Sequence, residues 1–129
     1  MKIAMRKISH SPKDIALTID NEGETITEHI TLEGQIKRID SQMLSLEGKI
    51  RGQIELICDV SGELYIQELD YPLALYIADG IWNIQSQSKR LDSFEVIEFF
   101  DGFVDLTYIL ASEIESIRSD YHTKEEYEE

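Results

Sequence analysis

The side chains suited to metal binding or nucleophilic attack are few in this chain of 129 residues: one cysteine, Cys58, and three histidines, His10, His29 and His122. No two of them have the two-to-four-residue spacing with which one turn presents two zinc ligands. Cys58 falls on the apolar side of an alternating segment, where a free cysteine usually packs as a small hydrophobic group. We therefore expect neither a metal site nor a cysteine nucleophile.

Paired carboxylates, such as Asp101 with Asp105 or Glu95 with Glu98, have the chemistry needed for acid-base catalysis. However, the chain has 26 acidic residues, so such pairs arise by coincidence and most belong to a solvated surface. The sequence contains neither a glycine-rich phosphate loop nor a Gly-x-Ser-x-Gly nucleophile turn. These features predict a protein that is not an enzyme and holds no cofactor.

The acidic residues are concentrated in the second half of the chain. The net charge is -14 overall, -2 over residues 1–62 and -12 over residues 63–129. The electrostatic field of these negative charges repels the phosphate backbone of nucleic acids, so a basic protein is a more favourable partner than DNA or RNA.

Length and composition predict one domain with one hydrophobic core, since 42% of the residues are hydrophobic. The lone cysteine favours a reducing compartment. No apolar run reaches the roughly 18 to 20 residues of a membrane span, and charges near the start argue against a signal peptide. We expect a cytoplasmic protein that does not enter a membrane.

Alternating apolar residues predict long strands over 25–37 and 44–58, joined by a turn at 39–42. In the first strand, the positions expected to face the core are apolar except for Glu28, and the series ends at Arg38. In the second strand, the corresponding positions include Gly48 and Gly52. Further strands are expected at 1–8, 14–20, 63–69 and 73–78, and an apolar run resumes at 94–100. Pro72 should separate two of them, and residues 83–93 should form a mobile loop.

From Asp105 the apolar spacing becomes helical, and the Asp105 carboxylate is suited to cap a helix running to about Arg118. The predicted fold class is therefore α+β: an antiparallel, strongly coiled, barrel-like sheet of about six to eight strands with a C-terminal helix packed on it. Residues 1–118 should form the single domain, and residues 119–129 an acidic, flexible tail.

Two further residues are candidates for a structural or partner-binding role. Glu113 falls within the apolar arc of the helix, and we expect Arg38, Arg51 or backbone N–H groups to compensate its charge. Trp82, the only tryptophan, precedes the predicted loop and could either pack over the sheet edge or anchor a partner.

Residues 48–58 (GKIRGQIELIC), 62–65 (GELY) and 97–106 (IEFFDGFVDL), with Glu113 and Ile114, resemble the signature regions of the YceD-like family. These are bacterial and plastid proteins implicated in the accumulation of large-subunit ribosomal RNA. The family usually has Cys-x-x-Cys after the long strand, commonly with Arg before the second Cys. Here Cys58 matches the first Cys of that motif, but Val60 stands at the position of the Arg and Ser61 at the position of the second Cys. The resemblance implies a non-enzymatic factor in ribosome biogenesis.

The charge distribution suggests how such a factor could act. We expect a basic ribosomal protein or assembly factor to bind an acidic lobe consisting of Glu95, Glu98, Asp101, Asp105 and Glu115. Contact with ribosomal RNA would be indirect or would use Lys37, Lys49 and Arg51 on the opposite strand face. Two alternatives are a small-molecule carrier and an acidic nucleic-acid mimic that inhibits a nucleic-acid-binding enzyme.

Overall fold

The structure, a computed structural model, describes residues 1–80 and 95–120. Its elements in chain order are β1 (Lys2–Ala4), a short 3-10 helix (Met5–Lys7), β2 (Lys13–Glu22), β3 (Thr27–Asp40), β4 (Met43–Ile57), β5 (Leu64–Asp79), β6 (Glu95–Phe99), β7 (Phe103–Asp105) and α1 (Leu106–Ser119). The loop expected at 83–93, Trp82, and residues 121–129 of the expected tail lie outside the described residues.

The described strands form one five-stranded sheet, in the order β2-β3-β4-β5-β6, and a two-stranded sheet of β1 and β7. Strands β2 to β5 form an antiparallel meander, as the sequence predicts, while β6 lies parallel to β5. With one helix at the C-terminal side, the α+β class is confirmed. The five-stranded order is open among the described strands, so the barrel-like coiling stays a prediction.

The alternation in β3 and β4 places their apolar residues in the core. Ile30, Leu32 and Ile36 of β3 are buried, and the buried residues of β4 include Leu46, Ile50 and Ile54. Gly34 pairs with Gly48 across these strands, and a Cβ on Gly48 would lie 2.8 Å from the Gly34 Cα. The glycine pair therefore allows a close approach of two backbones that alanine would prevent. Gly52 has a φ of 143°, which also favours glycine.

The sequence prediction that Pro72 separates two strands is wrong. Strand β5 continues through Pro72, which lies opposite Lys49 of β4. Strand β6 pairs only with residues 75–79 of β5, so at Pro72 the described sheet has β4 on one side alone. A proline without an N–H is tolerated at such a position because no second neighbour needs that donor.

The C-terminal helix begins and ends close to the predicted residues. The Asp105 side chain accepts a hydrogen bond from the Tyr108 N–H at 3.1 Å, and α1 ends at Ser119. Its buried face consists of Leu106, Ile109, Leu110, Glu113 and Ile114. The strand predicted over 1–8 is shorter than expected, because the chain turns into the 3-10 helix after Ala4 and the Met5 N–H donates to Gly102.

Candidate functional site: an acidic groove beside the C-terminal helix

Three of the acids predicted to bind a partner lie together in one groove. The groove has a volume of about 510 Å³ and is bounded by β6, the turn after it and the first turn of α1. We call it the acidic groove; its lining residues are Lys2, Val96, Ile97, Glu98, Phe99, Phe100, Asp101, Asp105 and Tyr108. Lys2 is therefore the one basic side chain set against three carboxylates in this lining.

Local backbone bonds hold two of these carboxylates in place. Asp101 accepts a hydrogen bond from the Phe103 N–H at 3.2 Å, and its other oxygen lies 3.8 Å from the Lys2 Nζ. Asp105 is the cap of α1. A carboxylate that caps a turn or a helix is oriented by one oxygen, and its charge still faces the groove. The groove thus presents its negative charge on positioned side chains.

Exposed aromatic rings accompany these charges. The exposed fractions of Phe100 and Tyr108 are 70% and 55%, which is high for residues of this size. Phe99 packs edge-to-face on Tyr108, with ring centroids 6.1 Å apart and an interplanar angle of 81°. Carboxylates beside aromatic rings suit Lys and Arg side chains, which combine a cationic head with an apolar stem.

Glu113 is buried as the sequence predicts, with 9% of its surface exposed. Burial raises the pKa of this carboxyl above its ordinary value, and the negative charge of Glu95 raises it further. Among the described residues, no hydrogen bond or ion pair involves the Glu113 side chain. The proton is therefore held more tightly here than on a solvated carboxyl.

The predicted pairing of Glu113 with Arg38 is wrong. The Arg38 guanidinium donates instead to the backbone carbonyls of Met5 at 2.6 Å, Ile8 at 3.0 Å and Asp40 at 3.1 Å. These bonds fasten the N-terminal segment to the end of β3, and none of the hydrogen bonds or ion pairs described for Arg38 involves Glu113. Arg51 does not supply the pairing either, since its side chain lies exposed on β4 opposite Thr31.

Glu28, another buried acid, forms an ion pair that was not predicted from the sequence. Glu28 of β3 is only 2% exposed and forms a salt bridge with Arg118 near the end of α1. The other Glu28 oxygen accepts the Glu55 N–H at 2.8 Å, and Arg118 also donates to the Glu55 carbonyl at 3.0 Å. The signal was present in the sequence, because Glu28 interrupts the apolar phase of its strand.

The Glu55 side chain holds the turn between β2 and β3. Its two oxygens accept the N–H groups of Glu24 at 2.7 Å and of Thr25 at 2.6 Å, together with the Thr25 hydroxyl. The hydroxyl bond and these backbone bonds lower the pKa of Glu55, against the opposing effect of burial. We call Glu28, Glu55 and Arg118 the hairpin clamp, because they join this hairpin to the end of the helix.

Cys58 lies in the turn between β4 and β5 and is 1% exposed, on the apolar side as expected. The Ser61 N–H donates a hydrogen bond to the Cys58 Sγ at 3.4 Å. Ser61, which stands where the YceD-like family has its second cysteine, therefore lies beside the Cys58 thiol. Within the described residues, no group of three or more His, Cys, Asp or Glu is arranged to hold a metal ion.

One of the three basic residues proposed for RNA contact, Lys49, has acidic neighbours. Lys37, Lys49 and Arg51 are exposed on β3 and β4, but Lys49 stands opposite Glu33 and lies 3.6 Å from Asp70. Alternating charges of this kind weaken the attraction for a phosphate backbone.

Comparison with protein-family models, with curated proteins and with solved structures finds no match to this chain. Among the described helical residues, none form a helix long and apolar enough to cross a membrane.

Proposed function

We propose that this protein is a non-enzymatic factor in the accumulation of large-subunit ribosomal RNA, and that it acts in the cytoplasm through a basic ribosomal protein or assembly factor. The family resemblance of residues 48–58 and 97–106 supports the biological role. The acidic groove supports the mode of action, and it is the observation that carries the proposal: Asp101 and Asp105 are positioned beside the exposed rings of Phe100 and Tyr108.

The groove matches the chemistry of a ribosomal protein segment rich in Lys and Arg. Its carboxylates attract the cationic heads over a distance, which raises the association rate at low salt. Its aromatic rings then bury the apolar stems and add cation–π attraction. The ribosomal RNA would be reached through the bound protein, because Lys49, central among the exposed basic residues of β3 and β4, has Glu33 and Asp70 as neighbours.

The test is affinity capture of the tagged protein from lysate of its own host at low and high salt, with mass spectrometry of bound proteins and sequencing of bound RNA. Large-subunit proteins or precursor ribosomal RNA, lost at high salt, would support the proposal. A single nucleic-acid-binding enzyme would instead favour the nucleic-acid mimic. A co-purified small ligand in a native mass spectrum would favour the carrier.

Two double variants separate the groove from the general acidity of the chain. Glu98→Gln with Asp101→Asn removes two charges from the groove, and Asn retains an oxygen for the Phe103 N–H. Glu33→Gln with Glu47→Gln removes two exposed charges from the face of β3 and β4. Capture should fail for the groove variant and persist for the control. Equal losses would show that overall charge, and not the groove, binds the partner.

A further inference from the structure

Strand β2 lies at an open edge of the five-stranded sheet. It is the first strand in the order β2-β3-β4-β5-β6, and within the described chain its backbone pairs with β3 alone. In an antiparallel pair, alternate residues direct their N–H and C=O groups away from the neighbouring strand. The ten residues of Lys13–Glu22 therefore present a row of unpaired donors and acceptors, which is a template for a further strand.

This edge lacks two devices that commonly prevent strand pairing, a proline and a β-bulge. Residues 13–22 contain no proline, and their register with β3 is continuous along the whole strand. Another open stretch of the described sheet, residues 64–74 of β5, contains Pro72. Of these two edges, β2 is therefore the one suited to accept an added strand.

The core side of β2 has apolar side chains that its single neighbour does not cover completely. Leu17 lies opposite Leu32 of β3, and Ile19 lies opposite Ile30. The two residues of β3 are fully buried, whereas Leu17 and Ile19 are only partly buried, although they pack against the same core. A strand beside β2 would remove more of their surface from water, so apolar residues on the core side of that strand would be favourable.

The other side of β2 is acidic. Asp14, Asp20 and Glu22 lie on this side and are exposed. Asp14 accepts a hydrogen bond from the Gln35 amide at 3.0 Å, and an Asp20 oxygen lies 2.6 Å from the His29 Nδ1. Each contact uses one carboxylate oxygen, and both acids stay exposed. Cationic side chains on an added strand would therefore lie opposite these acids and interact favourably with them.

A second copy of this chain is a poor occupant of the edge. The longest antiparallel pairings of two β2 strands with matching core sides are centred on Leu17 or on Thr18. Pairing about Leu17 sets Asp14 of one copy opposite Asp20 of the other. Pairing about Thr18 sets Asp14 opposite Glu22. Like charges directly opposite each other destabilise a strand pair, so the edge favours a basic strand from a different protein.

We propose that β2 binds an extended segment of a partner protein in which Lys or Arg alternates with apolar residues, and that this segment pairs as a sixth strand of the sheet. Backbone hydrogen bonds supply affinity, and the alternating side chains supply specificity. The acidic groove is bounded by β6, at the other end of the strand order. The inference therefore adds a second interaction surface and does not depend on the proposed function.

The probe is a synthetic peptide of alternating Lys and Val residues with blocked ends, added to the full chain. Amide hydrogen exchange measured by NMR should slow within residues 13–22 as the peptide is added, and the titration of this effect gives the affinity of the edge itself. A peptide of alternating Lys and Pro has the same charge but lacks every second N–H donor. It should slow exchange there at least tenfold less effectively.

Three results would overturn the inference. One is exchange within residues 13–22 that the Lys-Val peptide leaves unchanged, whatever it does elsewhere in the chain. Another is equal affinity of the two peptides, which would show that charge alone binds them. The third is slow exchange of every amide of β2 in the free chain, since the edge would then already be paired.

Two double variants test the charges of the edge. Asp20→Asn with Glu22→Gln should weaken the Lys-Val peptide about three- to tenfold, because two cross-strand attractions are lost. Glu33→Gln with Glu47→Gln is the matched control, since it removes two exposed acids from β3 and β4 on the same side of the sheet. It should change the affinity less than about twofold at a melting temperature like that of the edge variant. Equal losses would assign the binding to overall charge and contradict the inference.

Discussion

Glu28 and Glu113 are both acids on otherwise apolar faces, one on β3 and one on α1, yet their surroundings differ. The Glu28 carboxylate receives the Arg118 guanidinium and the Glu55 N–H. The Glu113 carboxyl receives no donor from the described residues, and Glu95 adds repulsion. A compensated buried acid holds two elements together, whereas an uncompensated one lowers the stability of the folded protein.

The hairpin clamp and Glu113 should therefore respond differently to mutation. Weakening the clamp should destabilise the fold, since its bonds join the hairpin of β2 and β3 to the end of α1. Neutralising Glu113 should leave the fold intact or stabilise it.

Arg118→Met should lower the free energy of unfolding by about 2–3 kcal/mol, because the buried Glu28 carboxylate would lose its counterion. This is less than the roughly 3–5 kcal/mol of a fully buried pair, since 34% of the Arg118 side chain is exposed. Urea unfolding at neutral pH measures the difference. Adding Glu28→Gln should restore most of the stability, because it removes the uncompensated charge and keeps an acceptor for the Glu55 N–H. A loss below about 1 kcal/mol in the single variant would mean that the pair is only a surface contact.

Gly23→Ala should be the next most destabilising change, by about 1–3 kcal/mol. A Cβ at this position would collide with a carboxylate oxygen of Glu55 and would lie 2.6 Å from the Ile26 carbonyl oxygen. The backbone of the turn would have to move, which breaks the bonds that Glu55 accepts. Gly62→Ala offers a comparison, because nothing lies within 4 Å of its Cβ position and only its φ of 77° opposes the substitution. If both variants lose the same stability, the clash with Glu55 is not the cause.

Glu55→Gln should have a smaller effect that depends on pH. The folded pKa of Glu55 is lowered, so the unfolded chain binds its proton more readily. This stabilisation is complete above the ordinary value of 4.5 and is lost as the pH falls through the lowered folded value. The wild type should therefore lose its advantage over the variant on acidification, as measured by urea unfolding across that range. A difference that stays constant with pH would show that the carboxylate charge adds nothing to the bonds.

The local features of the fold could be predicted from the sequence because neighbouring residues determine them. The Asp105 cap depends on one carboxylate three residues before the N–H that it accepts, and the burial of Glu113 follows from helical periodicity. The turn after β3 is likewise held by Asp40, which accepts the Gln42 N–H at 2.8 Å. Each of these features requires only residues close in the chain.

The partners of the buried acids could not be predicted, because they depend on how distant elements meet. Arg118 follows Glu113 by five residues on the same helix, a spacing that places them on different faces. Arg118 reaches Glu28 because the end of α1 lies beside the hairpin of β2 and β3. The parallel pairing of β6 and the continuity of β5 through Pro72 are also set by neighbours along the sheet.

Glu113→Gln should have the smallest effect on stability, with a sign opposite to that of the clamp variants. The folded pKa of Glu113 is raised, so between its ordinary value of 4.5 and that raised value the folded state binds more protons than the unfolded chain. The wild type should therefore lose stability relative to the variant as the pH rises through this window, and the two should coincide in more acidic solution. Melting temperatures across the range measure the difference, with Glu115→Gln as an exposed control that should follow the wild type. If Glu113→Gln follows the wild type at every pH, the carboxylate carries no penalty in the folded protein.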